Sequence, residues 1–305
     1  HDLWDFDAPN PVVLFDLDYN GVPRKGLAQA GKTGWVYILD RTNGEPLVGI
    51  EERPVPQEPR QATAATQPYP VGDAFVSQTL DIPPEGFTMV NNGAIFTPFW
   101  DDPVLLRRSE ANWPPSTVDP NKGVMYVCAG ERQAAYTTRD GVEPVESGDR
   151  FTGGSMRFAP IAVTGVVAAM DLRTNQRLWS QRWSSRCYSG LVATAGNLLF
   201  AGRNDGRFTA MDSRDGSKLW EFVTDAGVNA PPTIFEHEGE QYVTVFSAGN
   251  LLAGSNRGDS MWTFKLLEEG EETSIPLEQI TPPQANAEGL ALFQETCVFC
   301  HGRRG

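Results

Sequence analysis

A repeated strand–turn–strand pattern restricts this chain more than any other feature. Ile38-Leu39-Asp40-Arg41-Thr42-Asn43-Gly44-Glu45-Pro46-Leu47-Val48 returns as Ala169-Met170-Asp171-Leu172-Arg173-Thr174-Asn175-Gln176-Arg177-Leu178-Trp179. It returns again as Ala210-Met211-Asp212-Ser213-Arg214-Asp215-Gly216-Ser217-Lys218-Leu219-Trp220. Each copy sets an Asp after an apolar strand, and Gly or Asn follows four residues later, where a hairpin turn needs φ > 0. An apolar pair then opens the next strand. Asp171 and Asp212 lie 41 residues apart, and Asp40 and Asp171 lie 131 apart, about three such periods. A period of roughly 40–45 residues with this content marks the blade of a β-propeller.

The last complete repeat can be followed strand by strand. Leu191–Thr194 leads to a turn at Gly196, Leu198–Gly202 to Asn204-Asp205-Gly206, Arg207–Met211 to Asp215-Gly216, and Lys218–Val223 closes the set. Pro232–His237, a turn at Gly239 and Gln241–Ser247 begin another. Trp179, Trp220 and Trp262 have the width to wedge between adjacent blades, a structural role. Composition agrees: 30 Gly, 23 Pro and 8 Trp among 305 residues suit an all-β chain with many turns. The proline-rich stretch Glu51–Pro70 reads as a long surface loop, and Glu131–Ser155 as a second insertion.

Several function classes are set aside by composition. No run approaches the ~18 consecutive apolar residues of a membrane span. A net charge of −14 is wrong for nucleic acid, whose phosphates are bound through Lys and Arg. The chain reads as an internal piece of a longer protein. It opens at His1 with no targeting segment, and it stops four residues after a motif that normally opens a domain.

That motif is Cys297-Val298-Phe299-Cys300-His301. Two thiols at this spacing can each add across a haem vinyl group, while the adjoining imidazole reaches the iron. Half a zinc site and a redox dithiol are the competing readings, and zinc would need two further Cys or His ligands nearby. An acidic, Pro-bearing linker over 268–286 and a short amphipathic helix over Ala287–Glu295, burying Leu290 and Phe293, precede it. Residues 1–267 are thus expected to be a partial propeller and 287–305 the stub of a cytochrome c domain.

At the other end, His1-Asp2-Leu3-Trp4-Asp5-Phe6-Asp7 stands ahead of Gly31-Lys32-Thr33-Gly34. Joined to the blades and the haem motif, this segment resembles quinoprotein dehydrogenases that use pyrroloquinoline quinone (PQQ). The similarity continues through Glu52-Arg53-Pro54-Val55-Pro56-Gln57, Thr66-Gln67-Pro68, Ile95-Phe96-Thr97-Pro98, Val118-Asp119-Pro120 and Glu240-Gln241-Tyr242-Val243.

The resemblance implies an eight-bladed parent, of which about four blades are present here, and several roles. Asp5 would be the general base that takes the hydroxyl proton of an alcohol or sugar, and it would lie beside a Ca²⁺ held against the cofactor. Lys32 would hydrogen-bond the quinone oxygens. Tyr188 stands where relatives often place a Trp against the cofactor, and Asn112, beside Trp113, and Asn250 lie on loops that face it. Cys128 departs from an Asn common in relatives. Electrons would pass to haem c, bound through Cys297 and Cys300 with His301 as axial ligand, and on to a periplasmic cytochrome or quinone. The family's other cofactor contacts lie upstream, so this chain alone is expected to be inactive. Cys128 and Cys187 are either a disulfide, which a periplasmic setting permits, or two small buried thiols. The alternative to an enzyme is a non-catalytic Trp-anchored propeller serving as an interaction scaffold.

Overall fold

Short alternating strands separated by turns at Gly and Asn leave this chain few options besides antiparallel hairpins. The computed structural model describes residues 2–80, 85–87, 89–101, 103–138, 148 and 153–267. The expected linker, the helix over Ala287–Glu295 and the Cys297–His301 motif lie outside the described residues.

Four antiparallel sheets follow one another along the chain. The first is β1 (Val13–Tyr19), β2 (Val22–Ala30) and β3 (Val36–Asp40). A two-stranded hairpin, β4 (Ile50–Pro54) with β5 (Thr66–Pro70), stands apart. The second sheet holds β6 (Val104–Ser109), β7 (Thr117–Asp119), β8 (Val124–Thr138), β9 (Gly154–Phe158), β10 (Thr164–Asp171) and β11 (Arg177–Trp183). The third runs in simple order, β12 (Leu191–Ala193), β13 (Leu198–Gly202), β14 (Arg207–Asp212) and β15 (Lys218–Val223). The last has β16 (Thr233–His237), β17 (Glu240–Ser247) and β18 (Ser260–Lys265).

The repeated Asp turns behave as their sequence requires. Asp40 accepts the Thr42 N–H at 2.9 Å, Asp171 the Arg173 N–H at 2.7 Å and Asp212 the Arg214 N–H at 2.9 Å. Four residues on, Gly44, Asn175 and Gly216 have φ of 80°, 56° and 75°. Between sheets the tryptophans are wedges. The Trp179 indole N–H donates to the Ser213 carbonyl of the third sheet at 3.1 Å. The rings of Trp220 and Trp262 lie 5.1 and 5.0 Å from Phe264 and Phe222 across the next gap. Trp179 and Trp262 are partly buried and Trp220 is 40% exposed, so each contributes only part of the roughly 1.5–3 kcal/mol of a fully buried large side chain.

Two expectations need correction. Glu51–Pro70 is not an irregular loop, because its ends pair as β4 and β5 from Ile50↔Pro70 to Pro54↔Thr66. Pro68 and Pro70 are tolerated because a two-stranded ribbon leaves one edge of each strand without a partner. Nor does Glu131–Ser155 leave the sheet at its start. β8 runs on to Thr138, pairing β10 and β7 along its first half and β6 and β9 along its second. The buried Glu131 marks the crossing. It accepts from Ser77 N–H at 3.3 Å and Thr164 Oγ1 at 3.2 Å, and pairs with Arg182 at 2.9 Å.

Antiparallel order sends chain reversals alternately to two ends of the sheets. The Asp turns share one end. The segment before β1, the β2–β3 connection, the stretches entering β7, β12 and β16, and the β17–β18 loop share the other. Asp5, Lys32, Asn112, Tyr188 and Asn250 all belong to this second end.

Candidate active site at the loop end of the sheets

The alternation Asp2-Leu3-Trp4-Asp5-Phe6-Asp7 sorts side chains by face. Trp4 and Phe6 are buried, while Asp5 and Asp7 are exposed. The Asp2 carboxylate accepts the N–H groups of Trp4 and Phe6, both at 2.8 Å, and the Trp4 indole N–H donates to the Thr97 carbonyl at 2.8 Å. The segment is thereby fixed against an aromatic cluster that includes Phe96. Asp5 sits at φ 59°, the left-handed region that a non-glycine residue enters only when its surroundings hold it there.

Lys32 arrives from a turn that only glycine can close. Gly34 has φ 82°, and a Cβ there would come 2.4 Å from Val76 Cγ2. The Lys32 side chain is 10% exposed and its Nζ donates to Asp5 Oδ2 at 3.0 Å and to Asp7 Oδ1. Arg108, at the end of β6 and 4% exposed, donates from Nη2 to the same Asp5 oxygen. Its Nη1 donates to the Trp4 carbonyl at 2.7 Å and to the Tyr136 hydroxyl at 3.0 Å. Burial pushes the Asp5 carboxyl up, but the Lys32 hydrogen bond and the charges of Arg108 and Lys32 outweigh it and hold the group below its usual value. Burial pulls Arg108 down, and Tyr136 with the Asp5 carboxylate more than reverses that. Asp5 and Arg108 thus hold each other in their charged forms, with Asp5 59% exposed at the open side of the cluster.

Tyr188 and Asn250 belong to a second, adjoining network, and Asn112 stands apart from it. Glu110, two residues beyond Arg108, pairs with Arg132 at 2.9 Å and with Arg186 at 3.0 Å. Arg186 in turn donates to the Ala253 carbonyl at 2.7 Å, tying the second sheet to the β17–β18 loop. Tyr188 is buried beside Glu110 and Arg186, and burial pushes its hydroxyl up to about 12. Its carbonyl accepts from Asn229 Nδ2 at 2.9 Å. Asn250 closes its own loop, its Oδ1 accepting the N–H groups of Leu252 and Ala253 at 2.9 and 3.0 Å. The Asn112 carbonyl accepts from Asn10 Nδ2 at 2.9 Å. Cys128 and Cys187 form a disulfide, with Cα atoms 5.5 Å apart.

Sequence reading missed Arg108, Glu110 and Arg186. Arg108 left a signal: it falls in period-two register with Val104 and Leu106, both buried, so an arginine there must be buried with partners.

The donor set suits an anionic cofactor bearing carbonyl oxygens. Lys32 carries three N–H donors, and among the described residues two are engaged, by Asp5 and Asp7. The third can meet an oxygen on a ring. Calcium fits less well. It takes six to eight oxygens, yet no three His, Cys, Asp or Glu side chains converge among the described residues. Both contacts to Asp5 are already cationic. The expected calcium role of Asp5 is thus not supported by the described residues alone.

Comparison with known proteins points the same way. Residues 1–127 and 162–243 match the family described as "Glucose/ethanol/alcohol dehydrogenase, beta-propeller domain", of the PQQ group. The chain is 28% identical over 288 residues to quinoprotein alcohol dehydrogenase PedH of Pseudomonas putida, covering 90% of this chain and 46% of that protein. It is 29% identical over 326 residues to quinohemoprotein alcohol dehydrogenase ADH IIB of the same species, covering 99% and 44%. Among solved structures, quinohemoprotein alcohol dehydrogenase ADHIIG of P. putida HK5 superposes with a TM-score of 0.60 at 25% identity, covering 99% of this chain and 46% of that one. The chain spans about half the length of the curated relatives it matches.

Proposed function

Because this chain belongs to the glucose/ethanol/alcohol dehydrogenase β-propeller family, we propose that it forms part of a PQQ-dependent dehydrogenase that oxidises the hydroxyl of an alcohol or sugar. The observation that carries the reading is the Lys32 ammonium, nearly buried at the loop end yet with a donor to spare. A scaffold has no use for that arrangement. PQQ bound there supplies a carbonyl-bearing ring that accepts two electrons.

The chain's own residues divide the remaining work. Lys32 would donate its remaining N–H to a ring oxygen and would offset negative charge there. Asp5 stays ionised and presents a carboxylate at the open side, where it accepts the substrate hydroxyl proton. Tyr188, Asn112 and Asn250 line the same end as proposed cofactor contacts, Asn250 by shaping its loop. If calcium is also held at Asp5, its remaining oxygens come from residues beyond those described. Cys297, Cys300 and His301 have the donor chemistry for haem c, which would supply one-electron transfer toward a periplasmic cytochrome or quinone. A periplasmic setting is supported by the Cys128–Cys187 disulfide. No helix among the described residues is long and apolar enough to cross a membrane.

The test is Asp5→Asn in the intact protein, with turnover and PQQ binding measured separately. Turnover is expected to be lost while PQQ still binds. A rate within about tenfold of wild type removes Asp5 as the base, since general bases contribute roughly 10²–10⁴-fold. A second role for Asp5 is favoured by the two cations on its Oδ2: it would orient Lys32 instead of taking a proton. Loss of PQQ affinity in Asp5→Asn selects that role.

A further inference from the structure

We propose that Arg108 is a positioning residue for the cofactor site: it anchors the segment carrying Asp5 and thereby sets where the Lys32 ammonium points. The inference rests on the reading of Lys32 given above.

The geometry separates an anchor from a working cation. Every Arg108 contact is directed at one segment or its support. Nη1 donates to the Trp4 carbonyl at 2.7 Å, Nη2 donates to Asp5, and the guanidinium carbon lies 5.8 Å from the Phe6 ring centre. Tyr136 braces the same carbonyl, its hydroxyl donating to Trp4 at 3.0 Å while accepting from Arg108 at 3.0 Å. A planar fork that bonds two acceptors in fixed directions suits this task, whereas a lysine is a compact, swivelling charge.

Asp2 fixes the neighbouring backbone through the Trp4 and Phe6 N–H groups but does not reach the Asp5 side chain. The direction of that carboxylate, at φ 59°, therefore depends on Arg108 and Lys32. Without Arg108, two carboxylates face a single ammonium. Lys32 is then drawn down between Asp5 and Asp7, and its free donor turns away from the cofactor.

The experiment compares Arg108→Gln, Arg108→Lys, Lys32→Ala and Tyr136→Phe in the intact, cofactor-depleted protein. PQQ affinity is read by quenching of tryptophan fluorescence, and Tm is recorded alongside. Arg108→Gln is expected to weaken PQQ binding roughly 10–100-fold, the loss of a charge-assisted hydrogen bond, with Arg108→Lys recovering part of it. Tyr136→Phe keeps the charge and is expected to weaken binding by about 2–10-fold. If Arg108→Gln falls in Tm but its folded fraction binds PQQ as wild type does, the residue is only structural and the proposal is overturned. If Arg108→Gln does not fold, unchanged affinity in Tyr136→Phe overturns the proposal and the weaker binding supports it. Unchanged affinity in Lys32→Ala instead overturns the reading of Lys32 on which the proposal rests.

Discussion

The two ends of the sheets use the same residue for opposite purposes. At the turn end, Asp40, Asp171 and Asp212 spend their carboxylates on N–H groups two residues away. At the loop end, Asp5 and Asp7 are bound by Lys32 and Arg108, which come from 25 to 103 residues away. A carboxylate held first by its own turn specifies chain direction and asks little of the rest of the molecule, although Asp40 also meets Arg24 of β2 at 3.7 Å. One saturated by distant cations cannot be correct until two sheets have formed around it. The turn end therefore encodes the fold, and the loop end depends on it.

This contrast can be broken by substitutions that act on one end alone. The largest effect is expected for Lys32→Ala in the intact protein. Turnover should fall roughly 10²–10³-fold, the usual loss when an aimed donor is removed, while the urea midpoint moves little because Asp5 and Asp7 remain largely solvated. A large stability loss with turnover intact would reverse the assignment. Next, replacing Cys128 and Cys187 by Ser should cost about 2–4 kcal/mol in urea unfolding, measured against the oxidised parent.

Gly216→Ala tests the opposite end. It demands φ 75° of an L residue and brings a Cβ to 2.6 Å from the Trp179 ring. A destabilisation of about 1–3 kcal/mol with unchanged PQQ affinity is expected. The smallest effect belongs to acid. Hydrogen bonds from the Arg214 side chain and backbone hold Asp212 at about 2, below its ordinary 3.8. Its contribution is present above 3.8 and fades as pH falls toward 2. Urea midpoints across that window should drop less in Asp212→Asn than in wild type.

Legibility in the sequence follows the same division. β12 to β15 were readable almost to the residue because each is a short run with apolar residues and each reversal carries Gly, Asn or Asp. The hairpin of β4 and β5 was hidden by prolines, which its free edges tolerate. The second half of β8 was hidden because its pairing partners, β6 and β9, lie on either side of it in sequence and offer no local turn signal. Family matching also lapses from residue 128 to 161, where that extension lies. In the candidate site, Lys32 could be singled out by resemblance. Arg108 left only its register with the buried Val104 and Leu106, and Glu110 and Arg186 left nothing, since their partners are far away in sequence.

The fifteen residues of β8 have a consequence for how this chain tolerates change. Pairing on both flanks means that deleting one residue near Glu131 would force one half of the strand out of frame, either against β7 and β10 or against β6 and β9, and turn that half's side chains to the opposite faces. Elsewhere, a lost residue can be absorbed by the nearest reversal. Within this chain a single-residue deletion should therefore be tolerated at the hairpin tips and not in this strand, which acts as the molecule's ruler.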